Sequence, residues 1–495
     1  MKLWLLLIIL SPITYFIVKR NIRNVTTTPV WLCWLAIMLP AFIWTAWAYL
    51  VGEEQPLPLA LVLFPLILCP LLYGWLIQRG KLETPTESTT STDNPSVDTT
   101  TEEMAILPTP INPEEEAILR NCFPWNVYYL QNIDYRPQAI FCRGKLKTIP
   151  EEAYDRVKNN IDRAFGDRFF LIFQESFRGN PFFALVPNPQ AATSEQEAKK
   201  EDIRPAFALA FFVITLITTT LAGMKMSGIN PESSLDDLHL VKLGLVYSLP
   251  LLIIIGVHEL AHYFVATYYK IRTTLPYFVP FPFFLDTFSL GTLGAFVQKR
   301  SPVPHRRALF DIAIVGPCVG FLATLPVLLW GLSLSEAAPL PKDNILDFQA
   351  FNPRLSFLLS VLAKLILGGQ LKPGVGIDLH PLAIAGCVGL LITALNLMPM
   401  GQLDGGNIVH AVFGQKVAIA VGQITRILVL LFALVYPYFW FWAIVLWFTP
   451  LIDRPALNDV TELNNWRDLG GLLALTLLLS IVLPLPVMVA NWLNI

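Results

Sequence analysis

The stretch LGLVYSLPLLIIIGVHELAHYFVATYY, Leu243 to Tyr269, is the segment on which the architecture turns. It is long and apolar enough to cross a hydrocarbon core that needs about 20 helical residues. Lys270 and Arg272 close it with a basic flank. Inside it stand three groups that lipid penalises: His258, Glu259 and His262. A charged side chain at the centre of a membrane helix costs ~2.5–3.5 kcal/mol on insertion scales, so ionisable groups there mark a paired, functional site.

His258-Glu259-Leu260-Ala261-His262 is an H-E-x-x-H sequence. On a helix, side chains four residues apart differ by about 40° in direction, so both imidazoles reach one ion. Neutral imidazole suits zinc, and Glu259 is placed to take a proton from water whose pKa a catalytic zinc lowers to about 7. Such zinc has three protein ligands and an open position, so a third ligand must come from elsewhere. The best candidate is Asp404, in Asn396-Leu397-Met398-Pro399-Met400-Gly401-Gln402-Leu403-Asp404-Gly405-Gly406, directly after an apolar span. Its Pro399 and its glycines break a helix, which membrane depth tolerates only where backbone lines a cavity or is buried in protein. Taken without the histidines, the same stretch also reads as an Asp-Gly-Gly turn at the membrane surface.

Composition agrees with a membrane setting. Hydrophobic residues form 54% of the 495 residues and the mean hydropathy is +0.55, outside the soluble range. Charged residues are 15% and the net charge is -2, which leaves no basic field for nucleic acid. Partners are expected to be met through the lipid bilayer. Six cysteines lie scattered along the chain, so no disulfide framework is expected.

Three apolar stretches open the chain, Leu3 to Val18, Trp31 to Val51 and Leu57 to Ile77, and form a region of membrane segments over 1–78. The first reads as an uncleaved signal anchor, since Lys19, Arg20 and Arg23 follow it. Arg79 and Lys81 return the chain to the cytoplasm. Residues 79–113 are a polar, disordered linker. A small soluble α+β domain is expected over 114–204, with helices at Glu114 to Cys122 and Glu151 to Phe165 and strands at Gln138 to Cys142, Arg168 to Gln174 and Phe182 to Val186. The hydrophobic core, 205–450, carries spans at Phe207 to Met224, Leu243 to Tyr269, Ala308 to Leu332 and Leu382 to Met398, then Val417 to Phe448. A final segment, 451–495, carries the span Leu472 to Leu493. The fold class is therefore mainly α: a polytopic transmembrane helix bundle with a soluble α+β domain inserted after three N-terminal spans.

Two further stretches bear on the site. Leu355 to Leu367 is short and contains Lys364, so it is expected to be interfacial or re-entrant. Leu275 to Val297 is rich in Pro and Phe and ends in Gly291-Thr292-Leu293-Gly294-Ala295-Phe296, which suits an extended hairpin beside the metal. His258 precedes the basic exit by about eleven residues, or roughly 17 Å, which puts the metal nearer the cytoplasmic face. Asp311 and Arg426 read as snorkelling residues near helix ends, His410 as a residue of a surface helix, and Gly316-Pro317 with Gly320 as a close helix contact.

The H-E-x-x-H motif, the N-x-x-P-x-x-x-L-D-G run from Asn396 to Gly405 and the Gly316-Pro317 element together resemble the site-2 protease family of intramembrane metalloproteases, over roughly Phe207 to Phe448. The resemblance implies that His258, His262 and Asp404 ligate Zn2+, that Glu259 is the catalytic base and that Asn396 helps stabilise the tetrahedral intermediate. It implies transmembrane protein substrates, held by strand addition to the Leu275 to Val297 loop. The soluble module and the wording of Met398 to Gly406 look more like the plant and cyanobacterial branch, so a bacterial plasma or thylakoid membrane is expected, with the soluble domain cytoplasmic. At Cys142-Arg143-Gly144-Lys145-Leu146 the chain departs from the Gly-Asn-Leu-Arg element of that branch, and no role is carried over for it. Two other classes compete with the protease. A zinc or proton transporter predicts repeated halves with matching broken helices, and no second copy of either motif occurs. A non-catalytic relative that binds membrane proteins predicts decay of the metal motif, whereas all of its residues are present.

Overall fold

The computed structural model describes residues 30–51 with isolated positions between 11 and 76, then 111–136, 139–176, 179–188, 205–227, 238–281, 290–340, 348, 351–435, 443, 446, 447, 449, 450 and 455–495. Apart from isolated positions, the expected first and third spans, the linker up to residue 110 and residues 282–289 of the Pro- and Phe-rich stretch lie outside them. The chain divides into two units, Met1–Met104 and Ala105–Ile495. In the first unit, α1 (Val30–Val51) bends by 52° between Leu39 and Ala41. Position 40, at the bend, is a proline, a residue with no backbone N–H to donate to a helix.

The second unit begins with an α+β layer: α2 (Pro113–Asn121), β1 (Tyr128–Arg136), β2 (Ala139–Leu146), α3 (Pro150–Phe165), β3 (Phe169–Glu175) and β4 (Pro181–Pro187). The four strands pair antiparallel in the order β1-β2-β4-β3, which leaves β3 at an edge. In α3 the buried residues Ala153, Tyr154, Val157 and Ile161 recur at helical spacing and form the stripe that faces the sheet. Phe173 and Phe183 stack at 4.2 Å in the core beneath it. The strand β1 was not expected from the sequence. A bulge between Leu130 and Asn132 interrupts its register, so its buried positions do not alternate with period two.

The helical part follows: α4 (Pro205–Met226), α5 (Leu238–Tyr268), the hairpin β5 (Tyr277–Pro280) and β6 (Thr292–Phe296), α6 (Arg306–Ser333), β7 (Glu336–Pro339), α7 (Phe357–Leu367), β8 (Val375–Asp378), α8 (Pro381–Leu397), α9 (Asp404–Phe413), α10 (Gln415–Val435), α11 (Asn465–Val482) and α12 (Val487–Leu493). Among the described residues, five unbent helices are long and apolar enough to cross a membrane: α4, α5, α6, α10 and α11. Their outward faces carry large apolar side chains such as Phe207, Leu209, Ile424 and Leu428, each more than half exposed. That surface is stable only where the surrounding medium is itself apolar. The chain is thus mostly helical, with several helices suited to membrane insertion and some strands.

Two expectations change in detail, and a third, that Leu355 to Leu367 does not cross, agrees with the helix found there. The span expected at Leu382 to Met398 is the 17-residue α8, about 25 Å long, short of a ~30 Å hydrocarbon core. It is packed into the protein, with Ala383, Ala385, Val388 and Leu390 buried among α5, α6 and α11. The last span starts earlier than expected and stops at Val482, because Pro484 and Pro486 follow; the extended backbone of Leu483 caps it. Leu355 to Leu367 contains α7, too short to span, and its Lys364 donates to the Leu371 carbonyl at 2.8 Å.

The hairpin beside the core is short and pinned. The Thr218 hydroxyl donates to the Gly291 carbonyl at 2.7 Å and the buried Tyr247 hydroxyl donates to that of Leu290 at 3.0 Å. A bulge opposite Val279 and Pro280 is held by the Thr292 hydroxyl, which donates to the Val279 carbonyl and accepts from the Gly294 N–H. These bonds anchor β6 against α4 and α5, with its far end at the site.

Candidate metal centre

His258, Glu259 and His262 lie on the buried part of α5, 3%, 6% and 9% exposed. Asp404 is the first residue of α9, where the positive end of the helix favours a carboxylate. The break from Met398 to Leu403 turns the chain back on α8 so tightly that a Cβ on Gly405 would stand 1.9 Å from the Leu397 carbonyl oxygen. Asn396, in the last turn of α8, and Asp404 therefore reach the same place.

Three acceptor atoms meet there. His258 Nε2 and His262 Nε2 are 3.1 Å apart, and Asp404 Oδ2 lies 3.2 Å from His262 Nε2 and 3.5 Å from His258 Nε2. A tetrahedral ion with bonds near 2.0–2.1 Å separates its ligand atoms by about 3.3 Å, close to each edge of this triangle. Two imidazole nitrogens and one carboxylate oxygen are also the donor types that suit zinc. The residues present fit such an ion, and His258, His262 and Asp404 are the group that can hold it.

The surroundings orient these atoms. His262 Nδ1 donates to the Ile312 carbonyl at 2.7 Å, which leaves the lone pair of Nε2 directed at the centre. The ring reaches that carbonyl because residue 316, one turn along α6, has no side chain: a Cβ on Gly316 would lie 2.1 Å from His262 Nε2. Gly320 meets His258 in the same way, at 2.8 Å from Nδ1. The sequence marked these glycines as a helix contact without naming the rings that they admit.

A cavity of about 250 Å³ opens on the centre. Glu259, Asn396 and Asn407 line it beside the three ligand candidates, and Ala295, Phe296 and Val297 at the end of β6 form part of its wall. Glu259 Oε1 is 3.9 Å from His258 Nε2, and the Val297 N–H faces its carboxylate. Asn396 Nδ2 is 3.2 Å from His258 Nε2. All five site residues named from the sequence are thus brought together. Asn407 was missed; it is buried one turn beyond Asp404, and its Oδ1 has no partner among the described residues.

Two other sequence readings are corrected. His410 is not on a surface: it is 4% exposed and its Nε2 lies 3.0 Å from Asp459 Oδ1. Asp311 is not snorkelling, since it accepts from both Arg467 Nε and a terminal guanidinium nitrogen, at 2.8 and 2.7 Å, and from the Tyr269 hydroxyl.

Residues 246–435, which include every ligand candidate, match the model of peptidase family M50. This segment is similar to peptidase family M50. Among similar proteins, the probable zinc metalloprotease EGY2, chloroplastic, of Oryza sativa subsp. indica is 30% identical over 372 residues, 74% of this chain and 65% of the relative. EGY2 of Arabidopsis thaliana is 30% identical over 370 residues, 74% of this chain and 63% of the relative. Arabidopsis EGY1, also named a probable zinc metalloprotease, is 28% identical over 379 residues, 71% and 66% of the two chains. The chain spans slightly less than two thirds of the length of the first of these relatives. No solved structure matches. The matched segment extends from α5 to the end of α10, so it contains both the histidine helix and the Asp404 turn.

Proposed function

We propose that this protein is a zinc-dependent intramembrane protease that hydrolyses peptide bonds within or beside the transmembrane segments of other membrane proteins. The observation that carries the reading is the triangle of His258 Nε2, His262 Nε2 and Asp404 Oδ2, with sides of 3.1, 3.2 and 3.5 Å, in a cavity that also contains Glu259. Family M50 and the names of the similar chloroplast proteins support it. Zinc, when bound, supplies a Lewis acid that polarises the scissile carbonyl and acidifies water.

The chain's own residues do the rest. His258, His262 and Asp404 hold the ion, and the Nδ1–H bond to Ile312 fixes the His262 ring. The Glu259 carboxylate takes a proton from the attacking water and passes it to the departing amine nitrogen as the C–N bond breaks. The Asn396 Nδ2 donates toward the charge that develops on the carbonyl oxygen. Ala295, Phe296 and Val297 offer an extended edge at the cavity wall, suited to an unwound substrate strand held by main-chain bonds.

The same proposal divides the chain into membrane segments over 1–78, a linker over 79–113, a cytoplasmic soluble domain over 114–204, the protease core over 205–450 and a last membrane segment over 451–495. It assigns the protein to a cyanobacterial plasma or thylakoid membrane. The test is to purify wild type and Glu259→Gln, then measure zinc content and cleavage of a transmembrane reporter. Zinc retained with cleavage lost is expected; cleavage undiminished in the variant overturns the role of Glu259.

A further inference from the structure

Residues 455–461 run between the α+β layer and the membrane core and bond to both. On one side, the Phe173 N–H of the edge strand β3 donates to the Leu457 carbonyl at 2.7 Å, and the Asp459 N–H donates to the Phe173 carbonyl at 2.9 Å. On the other, the Leu457 and Asn458 N–H groups donate to the Val303 and Pro304 carbonyls at 2.8 and 3.0 Å, just before α6. Leu457 and Val460 pack into the hydrophobic cluster of the α+β layer. Asp459, between them, has its carboxylate on His410 Nε2 at 3.0 and 3.1 Å.

That pair is 5% and 8% exposed at its side chains, so neither partner can exchange it for water. A buried imidazole left without its carboxylate would keep an unsatisfied polar group, which makes the contact directional. His410 is on α9, the ten-residue helix whose first residue is Asp404. The Arg306 guanidinium holds the same end of α9, donating to the Ala411 carbonyl at 2.6 and 3.0 Å and to that of Val412 at 3.3 Å. One end of a short rigid helix therefore carries a candidate metal ligand, and the other is fixed to a segment that completes the edge of the soluble sheet.

We infer that the α+β layer sets the position of the Asp404 carboxylate through this strap, with Asp459 and His410 as positioning residues for the metal centre. The inference rests on Asp404 being a zinc ligand, as proposed above. It assigns the soluble layer a task at the site despite having no residue in it: a movement of β3 pulls on the strap, the Asp459–His410 contact carries the pull to α9, and the carboxylate shifts against the two imidazoles. Supporting contacts to metal ligands are worth about 10–100-fold in metal affinity.

The experiment measures zinc affinity of the full-length protein by chelator competition, together with hydrogen exchange over residues 404–413. Asp459→Ala is expected to weaken zinc binding about tenfold and Asp459→Asn, which keeps the volume and one hydrogen bond, by less. Leu457→Ser, remote from the metal, is expected to act in the same direction, and exchange over α9 rises in all three. Wild-type affinity and exchange in these variants overturn the inference. If Asp459→Ala fails to fold, Asp459→Asn and Leu457→Ser decide. Asp404→Ala serves as reference: if it loses zinc while the strap variants keep it, the coupling alone falls, and if it keeps zinc at wild-type affinity, both this inference and the proposed ligand set fall.

Discussion

Gly316 and His262 occupy adjoining space so completely that a single methyl group at residue 316 would stand 2.1 Å from the His262 Nε2 atom. Gly316→Ala must therefore displace the ring from the Ile312 carbonyl and from its partners. We expect at least about a tenfold loss of zinc affinity and a matching loss of cleavage. Gly320→Ala, whose methyl would approach His258 Nδ1 at 2.8 Å, is expected to lose less. Alanine favours a helix by up to ~1 kcal/mol over glycine, so a loss in either variant does not come from a weakened α6. Zinc titration of the two proteins checks the order.

Removal of a ligand should exceed removal of a supporting contact. Asp404→Ala is expected to lower zinc affinity by more than about 100-fold, and cleavage of a transmembrane reporter should vanish with it. Chelator treatment of wild type should abolish cleavage, and added zinc should restore it; the variant should stay inactive at the same zinc concentration. Restored cleavage in the variant would remove Asp404 from the ligand set.

The Asp311–Arg467 pair ties α6 to α11 through two charge-assisted bonds of 2.7 and 2.8 Å. Both side chains keep about a quarter of their surface, 24% and 28%, so the cost of breaking the pair falls below that at a fully buried one. Asp311→Ala should lower stability by ~1–3 kcal/mol and reduce the thermal midpoint in detergent, with zinc content per folded molecule unchanged. An unchanged midpoint would mean that the helices hold together without it.

In the α+β layer, burial pushes the Cys142 thiol up to about 12. Thiolate is the reactive form, so at pH 8 only about one molecule in ten thousand carries it at this position. Iodoacetamide is expected to leave Cys142 unmodified in the native protein and to alkylate it after denaturation. Peptide mapping reads the result; rapid native labelling would contradict the burial.

The metal centre was legible because its parts obey local rules. His258 and His262 carry a helical spacing that brings two rings together, and Asp404 lies in a run whose proline and glycines have little reason to occur at membrane depth unless they line a site. Asn396 followed only from resemblance. What stayed illegible depends on contacts between distant segments. Nothing local ties His410 to Asp459, 49 residues apart, and an isolated histidine after a turn reads as surface. The rings behind Gly316 and Gly320 are equally invisible, since a glycine announces a close approach and not its partner. In the α+β layer the failure at β1 is of another kind: its bulge at Leu130 and Asn132 shifts the face presented to the core, which erases the alternation that marks a strand.

His262 and Asp404 are separated by 142 positions along the chain. A ribosome adding about 5–20 residues per second needs roughly 7–28 s to pass from one to the other. Throughout that interval the nascent polypeptide has both imidazoles, yet lacks the carboxylate. The order of synthesis thus makes the Asp404 carboxylate the last of the three candidate ligand groups to exist.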